Sequence, residues 1–114
     1  MNYVPLFTVL IFVLFDIVTG IVKGYSSGTM SSSIMRKGLW HKCGTVILEL
    51  FALFCSVIPK FIDGFPNEFS TVYIAITIYI CAMETISVIE NISVINPDLN
   101  IDKMFGLFGS DKKS

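Results

Sequence analysis

Three hydrophobic stretches dominate this sequence, and each is long enough to cross a lipid bilayer. They cover residues 3–22, 43–62 and 69–89, which is more than half of the 114 residues. An α-helix rises about 1.5 Å per residue, so about 20 apolar residues match a hydrocarbon core of about 30 Å. A water-soluble domain of this size cannot bury that much apolar surface. We therefore predict an all-α membrane protein with three transmembrane helices in one transmembrane domain, residues 1–96.

The composition excludes several other classes of protein. Only 15% of the residues are charged, against roughly 25% in average soluble proteins. The formal net charge of −1 provides no basic face for nucleic acid. The sequence contains no nucleophile–base pair, no phosphate-binding loop and no metal-ligand spacing, so we expect neither an enzyme nor a cofactor. Its three cysteines all lie within the hydrophobic stretches, where they serve as small apolar residues.

The basic residues predict how the chain is oriented. With three spans, one side of the membrane carries seven of the eight lysines and arginines, namely Lys23, Arg36, Lys37, Lys42, Lys103, Lys112 and Lys113. The other side carries Lys60 alone. Because loops that remain in the cytoplasm are enriched in Lys and Arg, we predict the N-terminus outside and the C-terminus inside. In this topology residues 24–42, with Arg36, Lys37 and Lys42, form a cytoplasmic loop that sets the orientation.

The segments between the spans have their own signals. Residues 24–42 are rich in Ser and Gly, which favour turns and flexible connections. From Ser31 onward the spacing is compatible with a short interfacial helix, capped by a serine and with Trp40 at headgroup level. Pro59 is expected to end or kink the second span, and residues 63–67 form a turn. We expect residues 97–114 to be a weakly structured cytoplasmic tail.

Each span contains one acidic residue: Asp16, Glu49 or Glu84. An ionised carboxylate at the centre of a membrane costs about 2.5–3.5 kcal/mol on insertion scales, so such a residue faces protein or water. Helical spacing extends each acid into a narrow polar face, opposite a face of Phe, Ile, Leu and Val. The three predicted faces comprise Asp16, Thr19, Gly20 and Lys23 in the first span; Lys42, Thr45, Glu49, Ala52 and Ser56 in the second; and Thr77, Cys81, Glu84, Ser87 and Asn91 in the third.

Two interpretations of these polar faces are open. In the first, they pack the three helices together within one chain, with the acids paired with lysines or protonated. In the second, they line water in a homo-oligomer, because three helices alone enclose no channel. Asp16 is also two turns from Lys23 on its own helix, which makes the two a possible pair. Gly20 and Gly24 form a GxxxG pair, which is a candidate for close helix packing.

The order of these residues resembles the toxin-secretion and phage-lysis holin family. The resemblance rests on Asp16, Thr19, Gly20 and Lys23, on the serines at 31–33 with Gly38 and Lys42, and on Glu84, Ser87, Glu90 and Asn91. It covers residues 16–91. Members of this family are phage-encoded or prophage-derived proteins of the bacterial inner membrane.

The resemblance implies a specific function. Such proteins oligomerise in the lipid bilayer and, at a set time, open lesions that let an endolysin reach the peptidoglycan; relatives beside toxin genes are thought to help large toxins leave the cell. The predicted orientation is similar to that of three-span holins. Two alternatives are a non-conducting membrane partner, such as an antiholin or an anchor, and a small proton-coupled transporter. A non-conducting partner would be recognised by expression without membrane damage. A transporter would be recognised by proton-driven uptake of a solute.

Overall fold

The computed structural model describes residues 2–99. These residues form three α-helices, α1 (Val4–Ser27), α2 (Ser32–Phe61) and α3 (Phe69–Ile95), and no strand. Each helix is long and apolar enough to cross a membrane. The predicted all-α fold with three long apolar helices is therefore confirmed. Most of the predicted tail, residues 100–114, lies outside the described residues.

The connection between α1 and α2 is much shorter than the loop predicted for residues 24–42, and that prediction is corrected. The α1 helix continues to Ser27, and α2 already begins at Ser32. Ser31 has an extended backbone, and its side-chain oxygen accepts a hydrogen bond from the Ile34 backbone N–H at 3.1 Å, so it is an N-cap. Because nothing interrupts the helix after this cap, the predicted interfacial helix and the second span form one element.

The α2 helix is consequently longer than the membrane requires. Its 30 residues rise about 45 Å, against about 30 Å for the hydrocarbon core. Arg36, Lys37 and Trp40 near its start are exposed, as expected for a part that extends into the headgroup region. At the other end Pro59 lies inside the helix, which ends two residues later at Phe61.

Glycines shape the end of α1. Gly28 adopts a left-handed conformation (φ 73°), and its N–H bonds to the Gly24 carbonyl, which is a common way for a helix to end. A Cβ atom built on Gly24 would lie 2.5 Å from Met30 Cε and 3.2 Å from Met30 Cβ. Gly24 of the GxxxG pair therefore makes room for the turn of its own chain. Gly20 faces Asn91 of α3, whose Nδ2 would lie 3.7 Å from an added Cβ atom.

The α3 helix is the central element, because it packs against both α1 and α2, which contact each other less. Its N-terminal half also contacts the first turn of α1. There the Tyr73 hydroxyl oxygen accepts a hydrogen bond from the Leu6 backbone N–H at 3.1 Å. The apolar core between α1 and α3 is small and centres on Val9, Val13 and Ile80.

Large apolar side chains cover the outward faces of all three helices. Examples are Phe7, Leu14 and Phe15 on α1; Ile47, Phe51 and Phe54 on α2; and Ile74, Ile78 and Met83 on α3. In water such surfaces would drive aggregation, whereas in a bilayer they face lipid. The opposite faces of the helices, which point at one another, contain the polar residues.

Candidate functional site

Lys42 joins all three helices. From α2 its ammonium group forms an ion pair with Asp16 of α1, and its Nζ atom lies 2.9 Å and 3.1 Å from the two carboxylate oxygens of Glu84 on α3. The Asp16 and Glu84 side chains are each only 7% exposed, and that of Lys42 is 21% exposed. These charge-assisted bonds form between largely buried side chains, where hydrogen bonds to charged groups are strong.

Asn91 provides the hydrogen-bond partner for the other carboxylate oxygen of Asp16. Its amide nitrogen, Nδ2, donates to Asp16 Oδ1 at 2.9 Å and to Thr19 Oγ1 at 3.0 Å. Both carboxylate oxygens of Asp16 therefore have a partner, and the Thr19 hydroxyl donates in turn to the Phe15 carbonyl of its own helix. We call Asp16, Thr19, Lys42, Glu84 and Asn91 the charge cluster.

The charge cluster carries more negative than positive charge. With both carboxylates ionised it holds two negative charges against one ammonium, and no other basic side chain forms an ion pair with it within residues 2–99. The possible pairing of Asp16 with Lys23 is not what the structure shows. Two turns along one helix separate them by about 10 Å, whereas Lys42 reaches Asp16 directly from the neighbouring helix.

Glu49 and Thr77 form a second polar layer, two turns further along α2. Glu49 is fully buried, and its Oε2 atom lies 2.6 Å from Thr77 Oγ1. The Thr77 hydroxyl also lies 2.8 Å from the Tyr73 carbonyl, so its single hydrogen faces two acceptors. Glu49 Oε1 has no hydrogen-bond partner among the described residues. The neighbouring Ala52 and Cys55 are buried too, so Glu49 lies in apolar surroundings.

The remaining predicted site residues lie at the edges of the helix interfaces. Lys23, Thr45, Ser56, Cys81 and Ser87 are all half-buried. The hydroxyls of Thr45 and Ser56 donate to carbonyls of their own helix, those of His41 and Leu53. Of the fourteen residues on the predicted faces, the structure thus brings seven into two polar layers and leaves these five outside them. The other two are Gly20, which faces Asn91, and the buried Ala52.

One contributor, Tyr73, was not among the predicted polar residues. It is buried one turn before Thr77 on the same face of α3, and its hydroxyl holds the start of α1. Extending the polar face of the third span by one turn would have included it. Lys42 was identified mainly as an orientation signal, yet it is the central residue of the charge cluster. Arg36 and Lys37 are exposed and belong to neither layer.

The site is electrostatic in character. Within residues 2–99, no group of three or more His, Cys, Asp or Glu side chains is arranged to hold a metal ion. The two polar layers join the three apolar helices through contacts between largely buried side chains. If the helices separate, the same side chains become available to water or to other chains.

A comparison with models of protein families matches residues 3–105 to the bacteriophage holin family. The match includes all three helices and therefore both polar layers. No curated protein and no solved structure matches the chain.

Replacing Lys42 is expected to loosen the helices. Lys42→Met leaves two buried carboxylates facing each other without a cation, and breaking a buried ion pair in this way costs about 3–5 kcal/mol. The free energy of unfolding, measured by titrating the detergent-solubilised protein with sodium dodecyl sulfate, should fall by that amount. Lys37→Met, at an exposed position of the same helix, is the matched control.

A rescue variant separates electrostatics from packing. Combining Lys42→Met with Asp16→Asn and Glu84→Gln removes all three charges, and stability should return close to that of the unmodified protein. Equal unfolding free energies for Lys42→Met and Lys37→Met would show that the charge cluster does not hold the helices together.

Proposed function

The chain belongs to the bacteriophage holin family, and we propose that it oligomerises in the bacterial cytoplasmic membrane and opens timed lesions that release an endolysin. With three membrane-spanning apolar helices, it is a multi-pass membrane protein. The observation that carries the proposal is that polar groups of all three helices are buried against one another while the outward faces are apolar. A single chain is therefore compatible with lipid, and its buried polar groups are available to line a lesion once the helices separate. The proposed role is non-enzymatic.

Opening requires more than one copy. Three helices enclose no channel, so a water-filled lesion needs several chains whose polar faces point to a common lumen. In the packed chain Lys42 satisfies Asp16 and Glu84, whereas in the open assembly water hydrates these groups and Glu49. One feature favours the open form: the buried Glu49 oxygen that has no partner in the described residues of the packed chain. A rising number of copies in the membrane then shifts the balance by mass action.

The membrane potential is a natural trigger for such a change. Moving one elementary charge across the membrane is worth about 2.3 kcal/mol per 100 mV. The three intramembrane acids and Lys42 experience this field, so collapse of the potential alters the relative stability of the packed and open forms. Loss of potential through the first lesions would promote the opening of others.

We propose that the N-terminus faces outward and the C-terminus faces the cytoplasm. Of the seven basic residues that support this orientation, Lys103, Lys112 and Lys113 lie outside the described residues. Lys42 is engaged in the charge cluster. Arg36, Lys37 and Lys23 still lie at the end where α1 meets α2, against Lys60 at the opposite end of α2. The excess of basic residues at the proposed cytoplasmic end therefore remains when Lys42 is left out of the count.

Expression in a bacterial host tests the function. The protein is induced with and without an endolysin that lacks an export signal, while culture density and membrane potential are followed together. We expect abrupt loss of potential, with lysis only when the endolysin is present. Loss of potential without lysis would indicate an ion-sized pore. Release of a co-expressed toxin would show that the lesions also pass toxins.

The same experiment distinguishes the alternatives. Normal growth with the protein confirmed in the membrane would contradict a holin role and favour a non-conducting partner, such as an antiholin or an anchor. Proton-driven uptake by reconstituted protein, with no leak of larger solutes, would favour a transporter.

Cysteine labelling tests the orientation. In a variant with Cys43, Cys55 and Cys81 replaced by Ala, single cysteines are introduced as Thr29→Cys and Asn67→Cys, at exposed positions in the two connections. A membrane-impermeant maleimide should label the second variant in spheroplasts, and the first only after permeabilisation. The reverse pattern would overturn the proposed topology, and labelling after permeabilisation serves as the control for reactivity.

Substitution of the acids should change the time of lysis. Glu49→Gln removes the charge, and its amide can donate to Thr77, so the packed form gains stability and the water-lined form loses a charged group; lysis should come later. Asp16→Leu and Glu84→Leu should also shift or abolish it. Glu68→Gln, outside the span, is the control. Onset of potential loss is timed at matched membrane levels, and unchanged onset in all three acid variants would refute the mechanism.

A further inference from the structure

An open cavity lies between α1 and the first part of α2. It has a volume of about 260 Å³ and is bounded by α1 residues 16–23, by Met30 in the connection, by α2 residues 34–42 and by Asn91. Most of its wall is apolar and includes Ile17, Ile21 and Leu39. Its polar end is the charge cluster, represented by Asp16, Lys42 and Asn91.

Lys23 gives this cavity an available positive charge. It is half-buried in the cavity wall and forms no ion pair with any residue in 2–99. The other lysine of the wall, Lys42, is bound to two carboxylates, and Asp16, the acid of the wall, is bound to Lys42. The one carboxylate of the wall is thus already paired, and Lys23 is the wall cation that remains for a ligand.

The surroundings add to the positive potential. The α2 helix begins beside the cavity, because Ser32 precedes the wall residue Ile34 by two positions. The first turn of α2 contains no acidic residue. A helix N-terminus carries a partial positive charge. Arg36 and Lys37 are exposed on the same helix, directly between the wall residues Met35 and Gly38 in the sequence.

We propose that this cavity binds one anionic phospholipid, with its phosphodiester headgroup at Lys23 and an acyl chain along the apolar wall. An apolar cavity at the membrane interface that contains an unshared lysine matches both parts of such a molecule. A zwitterionic lipid fits the apolar wall equally well but gains less from the positive charge. The proposal goes beyond the holin role and does not depend on it, because lipid binding is measured on the inactive packed protein.

Lipid retention tests the proposal directly. The full-length protein is reconstituted in vesicles of equal parts phosphatidylglycerol and phosphatidylcholine, extracted in mild detergent, and analysed by native mass spectrometry. Each basic residue near an anionic lipid favours binding by a factor of about five. We expect phosphatidylglycerol to be retained over phosphatidylcholine by at least that factor, with one molecule per chain. Equal retention of the two lipids in the unmodified protein would overturn the proposal, and this comparison needs no variant.

A pair of lysine variants locates the site. Lys23→Gln should lower the preference for phosphatidylglycerol about fivefold, whereas Lys60→Gln, exposed at the far end of α2, should leave it unchanged. Helix content is compared first, to establish that both variants fold. An equal preference in Lys23→Gln and Lys60→Gln would overturn the assignment. Efficient cross-linking between copies through Leu39→Cys, in the lipid-loaded protein, would also overturn it by showing that a second chain fills the cavity.

Discussion

The packing of this protein depends on one ammonium group that is shared by two carboxylates. Lys42 approaches from α2 and finds Asp16 on α1 and Glu84 on α3 at the same depth, so a single contact fixes the relative heights of all three helices. Asn91 then secures the second oxygen of Asp16. Removing Lys42 leaves two carboxylates without a cation in a largely buried site, and such uncompensated charge is far more costly than the lost bonds themselves. The register of the three helices is therefore determined by electrostatics.

Apolar packing contributes less than it would in a soluble protein. Lipid tails are as apolar as Leu or Ile, so burying Val9, Val13 and Ile80 between α1 and α3 gains packing contacts but little hydrophobic free energy. Association in the membrane depends instead on close packing and on polar contacts between helices. A bundle held in this way is stable as long as its polar groups have no better partner. The proposed function requires that such a bundle separate when water or other copies of the chain provide one.

Helical spacing assigns each acid to one face of its helix, because the period of the helix is independent of its neighbours. Asp16, Glu49 and Glu84 are buried in the structure. Spacing contains no information on how far one helix is shifted along another, so the partner of Asp16 was not predictable, and Lys42 served mainly as an orientation signal. Asn91, two residues past the predicted third span, lies on the predicted polar face, and α3 continues to Ile95. The Asn91 amide donates to Asp16 and Thr19 of α1. Tyr73, whose hydroxyl serves the start of α1, was missed because that pairing is non-local.

The two polar layers act in opposite directions. The charge cluster gives each polar atom of Asp16 a partner and holds the helices together, whereas Glu49 shares one hydroxyl with a backbone carbonyl and leaves its second oxygen without a partner in the described residues. Only two turns of α2 separate the layers, so one rigid helix carries both the contact that closes the bundle and the group that gains most from water. In the proposed opening, a small displacement of α2 would weaken the closing contact and expose Glu49 at the same time. Because both changes favour hydration, separation of the helices is expected to be cooperative, and a cooperative transition is what gives an abrupt response to a gradual rise in the number of copies.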